Sequence, residues 1–266
     1  AVYSKKIDLK DAIPDKLYIP LTDIRMLTKV DLLMLEMLAN CNWERPLYLA
    51  ISVGSVSKLK FDNYFVQEGL AFRFTPFDYK KWGDVGENRL YAVDVERLYD
   101  NVMNRYKYGG LDTPGLYLDE TTLRTCWYHR RLFAQLAKEL IAQGDNERAK
   151  KVLAYAEQVI PGYNVPETHE SGSYDIATAY AALGEKTKAV TLAVHLIAEA
   201  EDYINWAFSL KGNRIEMVRN DCIYKFWQWN QYNELLKKID GEKYKESNRQ
   251  FEEKYALFAP TMNYKN

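Results

Sequence analysis

The segment NCNWERPLYLAISVG, residues 40–54, brings together side chains that could bind an anion. Arg45 stands beside Glu44, and a guanidinium can clamp a carboxylate or a phosphate through two parallel hydrogen bonds. Glu44 and Arg45 could instead form an internal ion pair that stabilises the turn leading into the strand. We expect this second arrangement, because such arginines usually find a carboxylate in their own domain. Pro46 biases Arg45 toward an extended backbone, so a helix must end before Arg45 and a strand can begin after Pro46.

Two pairs of carboxylates have the residue types that acid and base catalysis uses. Asp119 and Glu120 are adjacent, and Asp94 lies close to Glu96. A sugar-processing hydrolase would need two opposed carboxylates across a cleft, and only neighbours are visible in the sequence. Because Asp119 and Glu120 head a helical segment, we expect them to cap that helix, and we assign no catalytic residue.

The histidines and cysteines lack the spacing of a metal site. His129, His169 and His195 lie in different predicted elements, without an HxH or HExxH pattern. The three cysteines are isolated, so they predict neither a disulfide framework nor a zinc site. We therefore expect no metal and no cofactor, and we expect His195 to take a core or surface role.

Aromatic residues are in excess, with 21 Tyr and 6 Trp in the chain. In the run FWQWNQY, Trp227 and Trp229 could form a platform on which a sugar stacks. Aromatic side chains at helical spacing more often fill a core. We therefore expect helix packing, with one of the two indoles half exposed.

The charge balance excludes partners that are recruited by a net electric field. Lys and Arg total 36, and Asp and Glu total 37, so nothing attracts the chain to nucleic acid or to an anionic membrane. No apolar run approaches the roughly 18 residues that a membrane span needs, and we expect no signal peptide in this segment. The chain begins at Ala1 without Met, so we interpret it as a piece of a longer protein.

The N-terminal part of the chain predicts one helix and several strands. Thr28 and Asp31 fit a capping box, so VDLLMLEMLANC is expected to form a mostly buried helix that ends near Asn40. Three segments have the composition of strands: 47–53, 70–76 and 89–95. The first of these is short and apolar throughout, as a central strand should be.

The boundary between two regions is predicted at a pair of glycines. Residues 96–110 predict a helix closed by Gly109 and Gly110, because glycine takes the left-handed conformation without strain. We therefore divide the chain into a small mixed α/β unit, 1–110, and an α-helical region, 111–266. The expected fold class is α+β, predominantly α.

The helical region predicts a repeat. One apolar stripe at helical spacing is formed by Leu132, Phe133, Leu136, Ala137, Leu140 and Ile141. Gly144 follows at a turn, and the residues after it have the spacing of a tetratricopeptide repeat: Ala149, Leu153, Ala156 and Pro161. A second, looser copy contains Gly184. Helices over 213–240 and 241–260 are expected to cap this array.

Five segments, in the same order, resemble the C-terminal region of the transmembrane protein 260-like family: NWERPLYLA, EGLAFRFTP, LYDNVMNRYKYGG, LYLDETTLR and LAKELIAQGDNERAKKVL. Full-length members resemble multi-spanning glycosyltransferases that use a lipid-linked sugar donor, and the eukaryotic branch is assigned protein O-mannosyl transfer. The catalytic acid of such enzymes lies in a loop between membrane spans, so the resemblance transfers no catalytic residue to this chain. The motif-matching positions become candidates for structural or acceptor-contacting roles: Asn42, Trp43, Arg45, Pro46, Glu68, Gly69, Arg73, Asp119 and Glu120.

The resemblance also implies a location and a partner. It implies a domain on the extracytoplasmic, periplasmic side of the bacterial inner membrane, attached to a polytopic protein through N-terminal spans that this sequence does not contain. The expected partner is a protein or glycan acceptor, held by the concave face of the helical repeat. The alternative is a stand-alone tetratricopeptide-like interaction scaffold of the cell envelope. We expect no nucleic acid and no metal among the partners.

Overall fold

In a computed structural model, the chain divides into two compact units, Ala1–Tyr106 and Lys107–Asn266. The structure describes residues 16–17, 19, 24–41, 44–53, 62–79, 91–210 and 214–262. The expected fold class is confirmed, because a small mixed sheet is followed by a region of helices. The prediction from the sequence placed the division at residue 110.

Helix α1, Lys29–Asn40, begins at the predicted capping box. Asp31 Oδ2 accepts a hydrogen bond from the Thr28 N–H at 2.7 Å, and Thr28 Oγ1 accepts one from the Asp31 N–H at 3.3 Å. The expectation of a mostly buried helix is wrong, because Asp31 alone is buried in α1, while Leu33 and Met37 are 63% and 56% exposed. The helix is apolar on most of its faces, so the sequence pattern could not say which face packs against the sheet.

Four short strands form one mixed sheet in the described part of the first unit: β1 Tyr48–Ala50, β2 Phe65–Gln67, β3 Ala71–Phe74 and β4 Ala92–Val93. The order is β1-β3-β2-β4, with β3 antiparallel to both of its neighbours and β4 parallel to β2. The segment expected to be a central strand instead contributes β1, which is short and lies at the edge of the described sheet. The buried strand β2 was not predicted, because three residues are too few to show a periodic pattern.

Aromatic and aliphatic side chains cover the two faces of the sheet. On one face, Phe65 and Phe74 meet edge to face with ring centroids 5.5 Å apart, and Met34 of α1 packs against them. Because successive side chains of a strand point to opposite faces, Val66 lies on the other face, where it clusters with Ala92. Helix α1 therefore covers one face of the sheet.

Helix α2, Val95–Asp100, is capped by the side chain of Asp94 and passes into a π-helical turn over Asn101–Arg105. The chain is extended at Tyr106. The expectation of a single helix over 96–110 is therefore wrong at its C-terminal end. The helix ends early because Tyr106 and the first residue of the π turn are both held by the turn between β2 and β3.

The second unit contains seven helices in its described residues: α3 Glu120–Ala142, α4 Asn146–Val159, α5 Ser173–Ala182, α6 Lys186–Ser209, α7 Arg214–Met217, α8 Arg219–Ile239 and α9 Gly241–Met262. Helix α3 packs on α4, α5 on α6, and α8 on α9. Gly144 lies between α3 and α4 and Gly184 between α5 and α6, with φ of 81° and 78°, where another residue would be strained. The helical pairs are present where the repeat was predicted, while the tetratricopeptide class itself stays a prediction. No helix among the described residues is both long and apolar enough to cross a membrane.

The helices of the second unit bury a continuous apolar core. The predicted stripe on α3 contains side chains that are at most 1% exposed: Leu132, Phe133, Leu136, Ala137 and Leu140. Ala149, Ala177 and Ala189 are also fully buried. Small side chains at these positions leave room for close packing between helices, as the repeat pattern requires.

Candidate functional site

The Asn-Trp-Glu-Arg-Pro corner is described only in part, because Asn42 and Trp43 lie outside the described residues. Arg45 and Pro46 are exposed. Within the described ranges, no ion pair joins Arg45 to Glu44 or to another residue, so the expected internal ion pair is not seen there. A cleft of about 240 Å³ is lined by side chains from two of the motifs, Arg45, Pro46, Arg73 and Pro76 among them, and by Phe77.

Glu68 is buried at the centre of a polar network in the first unit. Its Oε1 accepts a hydrogen bond from Arg97 Nη1 at 2.9 Å and forms an ion pair with Arg73 Nε at 2.7 Å. Its Oε2 accepts a hydrogen bond from Tyr48 Oη at 3.2 Å. Burial, followed by the charge of this carboxylate, raises the pKa of Tyr48, so the phenol stays protonated and donates. Glu68 therefore joins β1, β3 and α2, and both of its oxygens are engaged.

Gly69 allows the side chain of Tyr106 to approach the backbone closely beside this network. It has φ of 154°, and a Cβ at this position would lie 2.1 Å from Tyr106 Oη. The same Oη accepts a hydrogen bond from the Leu70 N–H at 3.0 Å, and Asn101 Nδ2 donates to the Glu68 carbonyl at 2.6 Å. The structure thus brings Glu68, Gly69 and Arg73 together. Their contacts connect the β2–β3 turn to the end of α2.

Asp119 and Glu120 belong to the second unit and lie at the start of α3. Asp119 Oδ1 accepts from the Thr121 and Thr122 N–H groups at 2.9 and 3.1 Å. Hydrogen bonds from the Thr122 hydroxyl and backbone hold the pKa of Asp119 below its ordinary value. Glu120 pairs with Arg124 at 2.6 Å on the exposed surface. This geometry is that of a helix cap, as expected.

Arg130 is a buried cation that the sequence analysis did not single out. Its guanidinium donates to four oxygens of the loop between α4 and α5: the carbonyls of Ile160, Val165 and Pro166, and Ser171 Oγ. Burial lowers the pKa of Arg130 to about 10, so the side chain remains charged at neutral pH. One arginine on an apolar helix gives no local signal of this role, because its acceptors come from a distant loop.

A cluster of rings surrounds His169 in the second unit. The His169 ring lies 5.8 Å from Tyr174, 6.1 Å from Tyr224 and 5.7 Å from Trp227, measured between centroids. Tyr224 and Trp227 are nearly parallel, with 12° between their planes and 5.6 Å between centroids, and they are 45% and 49% exposed. We call the four residues His169, Tyr174, Tyr224 and Trp227 the aromatic surface.

The two tryptophans of FWQWNQY have different environments. Trp229 is fully buried, and its Nε1 donates to Ser247 Oγ at 2.8 Å, which joins α8 to α9. Trp227 belongs to the aromatic surface. The expected packing, with one indole half exposed, is what the structure contains, and the exposed indole lies beside other rings rather than alone.

Polar side chains border the aromatic surface. Gln228 is fully buried and donates from Nε2 to Glu170 Oε1 at 3.1 Å. Its Oε1 has no hydrogen-bond partner in the described part of the chain. Lys225 Nζ lies 3.0 Å from Glu199 Oε1. This border can donate and accept hydrogen bonds.

A separate cleft of about 380 Å³ opens between α4, α5 and α6. Glu157 forms an ion pair with Lys188 at 2.8 Å and accepts from Tyr180 Oη at 2.6 Å within this cleft. Burial, together with the Glu157 hydrogen bond, raises the pKa of Tyr180. Thr191 and His195 of α6 line one wall, and Leu153 lines another.

The described residues contain no group of three side chains that could hold a metal ion. His129 packs edge-on against Tyr108 with 5.5 Å between ring centroids. His169 lies in the aromatic surface, and His195 lies in the cleft. The three histidines therefore lie at three separate places.

Fold and sites together define an α+β, mostly helical protein whose candidate carboxylates are engaged in structural contacts. Residues 2–96 match the family model described as TMEM260-associated domain 2. This segment, which contains the sheet of the first unit, belongs to the TMEM260-like family, as the resemblance of its motifs indicates. No curated protein and no solved structure matches the chain significantly.

Proposed function

We propose that the chain is the extracytoplasmic domain of a polytopic, TMEM260-like membrane glycosyltransferase, and that it positions a protein or glycan acceptor near the membrane-embedded active site. The observation that carries this proposal is the match of residues 2–96 to TMEM260-associated domain 2. The proposed location is the periplasmic side of a bacterial inner membrane.

The candidate acids are held in structural contacts. This supports a binding role for the chain rather than a catalytic one. Glu68 is held by two arginines and a tyrosine, and Asp119 accepts three hydrogen bonds at the start of a helix. A general acid or base must be free to exchange a proton with the substrate. The aromatic surface and the cleft supply accessible places where an acceptor can be held.

Deletion of this domain from the full-length protein in its source cells tests the proposal. We expect glycosylation of the acceptor, followed by mass spectrometry of the envelope fraction, to fall, while the membrane-embedded part remains folded and inserted. Protease treatment of spheroplasts should degrade the domain in the intact protein. Unchanged transfer after the deletion, or protection from protease, would contradict the proposal.

The cleft favours a second candidate function, a stand-alone interaction scaffold of the cell envelope. Its apolar and hydrogen-bonding walls suit a segment of another protein. Affinity purification from crosslinked cells would then return a stable complex that Lys188→Ala weakens and that Lys151→Ala, at an exposed position of α4, leaves intact. A stable complex without any glycosylation defect after deletion of the domain would favour the scaffold over acceptor positioning.

A further inference from the structure

We infer that the aromatic surface is a carbohydrate-binding site, which takes a pyranose ring of a glycan by stacking. The inference rests on the proposed function for its biological role, since it names a glycan as the acceptor. The binding itself rests on the geometry of His169, Tyr174, Tyr224 and Trp227.

The exposed rings of Tyr224 and Trp227 are arranged in a way that suits a sugar. Tyr224 and Trp227 lie one helical turn apart on α8, with planes 12° apart and nearly half of each side chain exposed. Aromatic faces carry negative charge density, and the axial C–H groups of a pyranose are weakly positive. Because Tyr224 and Trp227 stack on each other with 5.6 Å between centroids, the exposed part of the stack offers such C–H groups a single flat aromatic face, whereas a cage for a cation needs walls that converge.

The rings of the aromatic surface are held in place before any ligand binds. His169 meets Trp227 at 74° and Tyr224 at 84°, so the imidazole braces both rings edge to face. His169 Nδ1 lies 2.9 Å from the hydroxyl of Tyr232, which is itself buried. Burial lowers the pKa of His169, so the brace is neutral at pH 7 and does not repel a cationic neighbour. A site held rigid in this way loses little freedom on binding.

Polar side chains next to the aromatic surface suit the hydroxyls of a sugar. Glu170 is positioned by the amide of Gln228, whose Oε1 is buried without a hydrogen-bond partner among the described residues. Lys225 and Glu199 add an ammonium and a carboxylate. Sugar hydroxyls both donate and accept, so a ring stacked on Trp227 can add hydrogen bonds to the partly exposed Glu170 and Glu199 carboxylates, while the fully buried Gln228 only positions Glu170. An apolar protein segment would remove water from the Lys225 and Glu199 charges without adding a hydrogen bond, which is costly.

The test is titration of the 266-residue chain with a panel of defined neutral oligosaccharides, read by tryptophan fluorescence and by calorimetry. We expect saturable binding by at least one member, weakened about tenfold or more by Trp227→Ala or Tyr224→Ala, because each variant removes a stacking face. Trp206→Ala is the matched control, since Trp206 is also 49% exposed but pairs with Tyr203 on α6. Far-UV circular dichroism establishes that each variant is folded.

The outcomes separate this inference from the proposed function. Absence of binding by every oligosaccharide, or an equal loss from Trp206→Ala, overturns the inference. Binding of an acceptor protein that persists after enzymatic removal of its glycans also overturns it, while leaving acceptor positioning intact. Glycan binding that depends on Trp227, in a protein whose transfer activity survives deletion of the domain, upholds the inference and contradicts the proposed function. Comparison of free oligosaccharide with the glycosylated protein shows which source of glycan is bound more tightly.

Discussion

The two units are stabilised by different kinds of contact. In the first unit, strands of two to four residues are joined by Glu68, which binds Tyr48, Arg73 and Arg97 from three other places in the chain. In the second unit, long helices bury apolar stripes against other helices, both the next one along the chain and more distant ones such as α8 against α6. Hairpins of helices can therefore be inferred from local spacing, whereas the small sheet depends on polar contacts between distant residues in addition to the apolar packing on its two faces.

The largest expected effect tests the apolar core of the second unit. Phe133 is fully buried, with its ring near Tyr108 and Tyr155. Phe133→Ala should lower the free energy of unfolding of this unit by about 3–5 kcal/mol, because it removes buried apolar area and leaves a cavity. Urea unfolding followed by hydrogen exchange measures the effect in each unit. Tyr117→Ala, at a side chain that is 88% exposed, is the control and should change little.

The next effect tests the close approach of Tyr106 to Gly69 in the first unit. Gly69→Ala should destabilise this unit by about 2–4 kcal/mol, through backbone strain at positive φ and a clash with the Tyr106 hydroxyl. The loss should be smaller when Tyr106→Phe has already removed that hydroxyl. Additive losses in thermal unfolding of the single and double variants would show that Tyr106 does not constrain Gly69.

A smaller effect tests the polar network itself. Glu68→Gln should lower the unfolding free energy of the first unit by about 1–3 kcal/mol, below the value for a fully buried ion pair because Arg97 is half exposed. The control is Glu44→Gln, at an exposed position of the same unit. If the two variants have equal stability, the network is not what joins the strands.

The smallest expected effect is a difference between the two units in how their stability depends on pH. All three histidines lie in the second unit, and burial lowers the pKa of His129 and His169. Below the ordinary histidine pKa of about 6.5, the unfolded chain therefore binds more protons than the folded chain, so stability present above that pH is lost as the pH falls. Hydrogen exchange at about pH 7.5 and about pH 5.5 should show this loss in the second unit, and His169→Gln should reduce it. An unchanged pH dependence in His169→Gln would remove His169 as a cause.

Local patterns predicted the features that depend on neighbours in the chain. The capping box at Thr28, the turns at Gly144 and Gly184 and the cap at Asp119 all involve residues a few positions apart. The burial of α1 could not be predicted, because the helix is apolar on most faces and only its packing partner selects one of them. The end of α2 was also missed, because Tyr106 is bound by a backbone group 36 residues away.

The candidate site was likewise predictable from the sequence only in part. FWQWNQY indicated two tryptophans at helical spacing, but no spacing could show that His169 would brace one of them, since its hydrogen-bond partner Tyr232 is 63 residues further along. The sequence by itself determined the helices, their turns, the balanced charge and the family of the N-terminal segment. Only the tertiary structure decided which carboxylates are engaged, where Arg130 binds and which aromatic side chains remain exposed. The physical reason is that periodicity and capping act over one or two helical turns, while ion pairing, buried hydrogen bonds and ring packing join any residues that folding brings within a few ångströms.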